Sequence, residues 1–81
     1  MSSRGFSRVP AKEIKYVKAE AERISAKLQK RRKELGLTQE KLAELLDVTS
    51  ETVRFIEQNR RIPSLPMLIR LTKILKLELL G

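Results

Sequence analysis

Two short amphipathic segments, Gln39 to Leu46 and Ser50 to Gln58, stand a few residues apart and leave this chain few ways to fold. A threonine precedes each of them. Thr38 and Thr49 carry the side-chain oxygen that caps free N–H groups at a helix start, so both segments read as helices. Leu42, Ala43 and Leu46 form the inward face of the first, and Val53 and Ile56 that of the second. Lys41 stands where a capping box would have Glu. Asp47 and Val48 make the turn between the two. Asn59 closes the second, being the residue after glycine that best tolerates the left-handed conformation.

Upstream, Pro10 suits the first position of a helix, and Ile14, Val17, Ala21, Ile24 and Leu28 recur at alternating spacings of three and four. The stripe predicts one helix from Ala11 to Leu35, stopped by Gly36 and about 37 Å long at ~1.5 Å per residue. A domain of this size should measure about 30 Å across. The first half of that helix therefore projects, kinks or folds onto a partner. Residues 1–9 are rich in Ser, Gly and Arg and read as a basic arm, leaving residues 10–81 as the domain. Downstream, Ser64 caps a fourth helix with Pro66 in its first turn, and Leu65, Leu68, Ile69, Thr72 and Leu75 are expected to face the core. The tail "KLELLG" fits a helical turn or a short strand. The expected fold is all-α: a compact bundle of four to five helices with an extended N-terminal helix.

The chain has 81 residues and no cysteine or histidine, so disulfides, thiolate chemistry and the usual metal ligand and proton shuttle are all absent from it. No cofactor or metal is expected. The 18 basic and 10 acidic side chains give a net charge of +8, and residues 1–35 hold 11 of the former against 4 of the latter. A polyanion is the natural partner of such a surface. No apolar run suits a membrane span or signal peptide, and cytoplasmic localisation is expected. Glu13, Glu20 and Glu22 interrupt the lysines on the polar face of the first helix, which disfavours binding to anionic lipid. Ser50, Glu51 and Arg54 have no base beside them to activate a hydroxyl, so an enzyme is not expected.

Two short helices joined by a tight turn make a helix-turn-helix, whose second helix can lie in the major groove of DNA. The stretch "GLTQEKLAELLDVTSETVRFIEQNRRIPSLPMLIRLTKIL" resembles the helix-turn-helix of phage-repressor, Cro and XRE-type regulators, typified by the lambda repressor fold. "GLTQ", "LA", "VT", "IE" and "PSL" follow in the family's order and spacing, and the likeness runs from about Ile24 to Leu80. It implies a double-stranded DNA partner and a homodimer on inverted-repeat sites. Carried over by residue, it implies that Gln39 binds the phosphate backbone and braces the reading helix. Ser50, Glu51, Arg54 and Phe55 would be its base-contacting positions. It further implies that Arg32 and Glu57 form a structural pair tying the first helix to the third. Asp47 and Asn59 stand where relatives have Gly, Phe55 where they are mostly polar, and the chain stops where many grow a fifth, dimerising helix.

The residue chemistry agrees with those assignments in several places. Arg54 can pair with both acceptors of guanine, Glu51 can accept from cytosine, and Phe55 suits either a thymine methyl or the core. Thr49 and Thr52 flank the reading face within reach of phosphates, and Arg60, Arg61, Lys30, Arg31 and Lys33 are expected phosphate clamps. Arg4 and Arg8 of the arm would follow the duplex. Dimerisation is expected to use "KLELL", the Ile14 and Val17 stripe, or both. The leading functional expectation is a transcriptional repressor. The alternative is an antitoxin that binds a toxin and represses its own promoter, or a controller of restriction-modification genes, because the spare apolar surface suits a protein partner.

Overall fold

The computed structural model describes residues 11–78, with the side chains of residues 11–14 outside the description. The basic arm and the last residues of "KLELLG" lie outside it as well. Four helices follow in order: α1 (Ala11–Glu34), α2 (Gln39–Leu46), α3 (Ser50–Glu57) and α4 (Leu65–Leu75). There is no strand among the described residues, and the fold is all-α. Each of α2, α3 and α4 starts at a hydroxyl cap: Thr38 accepts from the Lys41 N–H, Thr49 from Thr52 and Ser64 from Met67.

All four helices end in the same way, with a left-handed residue and a backward pair of backbone hydrogen bonds that satisfies the last carbonyls. Gly36 closes α1 at φ 73°, with the Leu37 N–H on the Arg32 carbonyl at 3.1 Å. Asp47 closes α2 at φ 61° and Asn59 closes α3 at φ 60°. Lys76 does so for α4 at φ 51°. Three of the four left-handed positions thus carry a side chain, which holds these turns at some backbone strain.

The core is formed by Leu28, Leu42, Ala43, Leu46, Val53, Ile56, Leu71 and Leu75, with Ile24, Leu37, Val48, Met67, Leu68 and Ile74 packed around it. The second half of α1 lies against α3 and α4, and α2 packs on α3 and α4. The faces expected of α2 and α3 are the buried ones. In α4 the expected face is rotated: Leu65 and Ile69 are 68% and 53% exposed, whereas Leu71, outside the expected stripe, is buried. The helix "LPMLIRLTKIL" is apolar at 65, 67, 68, 69, 71, 74 and 75, so its spacing admits two stripes. Packing on α1 and α2 selects the one through Leu71 and Leu75.

α1 is continuous over its 24 residues, about 36 Å, and the molecule measures 44 × 22 × 21 Å. Its first half therefore projects rather than kinking. Tyr16 and Val17 are exposed there, Ala21 and Ile24 are half-buried, and the stripe is buried only at Leu28. Leu35 falls just beyond the helix and is exposed.

Candidate nucleic-acid interface

The outward face of α3 is set by its inward one. Val53 and Ile56 are 2% and 3% exposed, and this fixes the helix rotation so that Glu51 and Arg54 point to solvent, with Ser50, Thr52 and Phe55 half-buried beside them. The turn from Asp47 to Thr49 holds α3 against α2, through the Val48 N–H on the Ala43 carbonyl at 3.0 Å and the Thr49 cap.

A buried polar cluster fixes α3 against α1. Arg32 donates through Nε to Glu57 Oε2 at 2.6 Å and through Nη2 to Oε1 at 3.2 Å, while Nη1 donates to the Leu37 carbonyl at 2.7 Å. Gln39 Nε2 donates to the same Glu57 carboxylate at 2.9 Å. The two charged side chains are 9% and 2% exposed, so each relies on the other to offset its desolvation. One carboxylate at the end of α3 thereby joins α1 to the start of α2, and Arg32 ties in the α1–α2 turn through the Leu37 carbonyl. The Gln39 contact has no sequence spacing that announces it.

The cations divide into two groups. Arg31, an expected phosphate clamp, donates through Nε to the Leu75 carbonyl at 2.9 Å, where a positive charge also complements the C-terminal end of α4. It lies 3.4 Å from Glu34 as well. Lys27 reaches the Glu78 carbonyl at 3.4 Å. Lys30, Lys33, Arg60 and Arg61 are exposed. Arg54 is 3.5 Å from Glu51 in a solvent-exposed pair, an interaction worth only a few tenths of a kcal/mol that an incoming base or phosphate can displace. The Thr49 and Thr52 hydroxyls are 2.9 Å apart at the start of α3. The Phe55 ring lies 5.4 Å from the Arg54 guanidinium and 4.9 Å from that of Arg60. That second contact had no sequence signal beyond the left-handed residue Asn59 between them.

Among the described residues no cluster of acidic side chains could hold a metal, and no helix is long and apolar enough to cross a membrane. What the site offers is a rigidly mounted helix with hydrogen-bonding side chains on its outward face, two hydroxyl-capped helix starts and several exposed cations. That is the arrangement of a DNA-binding helix-turn-helix.

Comparison with known proteins agrees. The model of the helix-turn-helix family matches residues 28–81, and the chain belongs to that family of DNA-binding regulators rather than to an enzyme class. It is also similar to a protein of Methanothermobacter thermautotrophicus named as an uncharacterized HTH-type transcriptional regulator, with 45% identity over 51 residues. The alignment covers 63% of this chain and 74% of the relative.

Proposed function

We propose that the protein is a cytoplasmic transcriptional repressor that binds an inverted-repeat DNA site as a homodimer, with α3 of each copy in successive major grooves about 34 Å apart. The observation that carries the reading is the exposed Glu51–Arg54 face of a helix whose opposite side is locked by Val53, Ile56 and Glu57. In this reading Ser50, Glu51 and Arg54 meet base edges, with Arg54 on guanine. Gln39, Thr49 and Thr52 lie at helix starts whose N–H groups and dipoles favour phosphate. Lys30, Lys33, Arg60 and Arg61 supply the salt-dependent part of the affinity, with the arm adding to it. Arg31 is a weaker candidate because its guanidinium is engaged by Leu75 and Glu34.

Single substitutions separate the roles. Arg54→Ala should relax sequence preference at one position by ~1 to 3 kcal/mol, whereas Arg61→Ala should weaken all duplexes alike and lower the salt slope by about one. Equal effects of the two in a binding titration across salt would sink the assignment.

A dimer needs apolar surface. The described residues offer it in the groove between the projecting part of α1 and the connector after α3, lined by Tyr16, Val17, Ile24, Ile62 and Leu68. The same groove favours the second reading, an antitoxin or restriction-modification controller whose protein partner covers it. Sedimentation of the purified protein alone separates the two: a stable dimer supports self-association, and a monomer at high concentration supports a separate partner.

A further inference from the structure

We propose that Phe55 is a positioning residue: its ring holds the Arg60 guanidinium in place for a DNA phosphate, so that Phe55 sets affinity through Arg60 rather than by touching a base. The inference rests on the reading of α3 as the DNA-reading helix.

The placement follows from the way α3 ends. Asn59 takes the left-handed conformation, and the Arg60 N–H then returns to the Phe55 carbonyl at 2.8 Å. This turn brings the side chain three residues past the helix end over a side chain of its last turn, a contact usually made by two apolar groups. Here the arriving group is a cation and the receiving one an aromatic ring, 4.9 Å from guanidinium to centroid. No side-chain hydrogen bond or ion pair to another described residue holds Arg60. Among the described residues, the ring is thus the group that holds this exposed arginine.

Stacking and phosphate binding do not compete. A guanidinium held over a ring still donates N–H groups in its own plane, so Arg60 over Phe55 keeps donors for an anion. An arginine already ordered loses less rotamer freedom on binding, and an exposed cation–π contact corresponds to about two- to five-fold in affinity. Arg54 touches the same ring but is also paired with Glu51, so its position has a second support.

The test is a double-mutant cycle on duplex DNA of arbitrary sequence, where base reading contributes nothing. Phe55→Leu should weaken binding about two- to five-fold, and Phe55→Tyr, which keeps the ring, should bind as the parent does. In an Arg60→Ala background, Phe55→Leu should change affinity by less than about 1.5-fold. A loss of the same size in both backgrounds would overturn the proposal, as would parental binding by Phe55→Leu. Thermal melting of each variant checks the fold, and Phe55→Met, closer in volume, replaces the leucine variant if that one melts early. If the parent itself retains no duplex, the reading of α3 fails with it, an outcome visible before any variant is made.

Discussion

Replacing Glu57 by Gln should be among the most damaging single changes that leave side-chain volume unaltered. The carboxylate accepts from Arg32 Nε at 2.6 Å, Arg32 Nη2 at 3.2 Å and Gln39 Nε2 at 2.9 Å. An amide has one oxygen, so its NH2 group must face one of these donors. The Arg32 guanidinium, 9% exposed, also loses its counter-charge. Breaking a buried pair from one side costs ~3 to 5 kcal/mol. A domain of this length has about 4 to 12 kcal/mol in all. At ~4 to 8 °C per kcal/mol, the melting temperature read by circular dichroism should fall by at least about 12 °C. Removing both charges with Arg32→Met and Glu57→Leu should be less harmful than Glu57→Gln alone, because neither charge is then left buried and unpaired. A fall of less than about 4 °C for Glu57→Gln, or a double variant less stable than that single one, would refute the reasoning.

Backbone strain and core register give further tests. Gly36→Ala should cost about 1 kcal/mol purely through its φ of +73°, since nothing lies within 4 Å of an added Cβ, and Lys76→Gly should gain a similar amount. Urea melts read both, and a gain from Gly36→Ala or a loss from Lys76→Gly would contradict the strain argument. Leu71→Ala should cost ~2 to 5 kcal/mol and Leu65→Ala less than about 1, the reverse of what the α4 sequence pattern suggests. Equal losses would mean that the two faces of α4 share the burial.

The parts of this fold legible in the sequence are those where a local signal has one solution. Thr38, Thr49 and Ser64 are hydroxyls directly before apolar-periodic runs, and each caps the helix it precedes. Gly36 and Asn59 mark ends because few residues accept a positive φ. The α4 face was not legible, since seven of its eleven positions are apolar and only tertiary contact chooses among them. The reading face could be inferred from the period of α3 once Val53 and Ile56 were assigned inward. The contacts of Arg31 and Arg60 could not, because each depends on a partner brought close by the fold: Leu75 and the Phe55 ring.

The central claim is that a dimer reads duplex DNA through α3. Its most direct test is selection from random duplexes by the purified chain at about 150 mM salt, followed by sequencing of the retained pool. The account predicts an inverted repeat with half-site centres about ten base pairs apart, whose preference at one position per half-site disappears with Arg54→Ala. A pool without a motif, with binding that vanishes as salt rises, would contradict it.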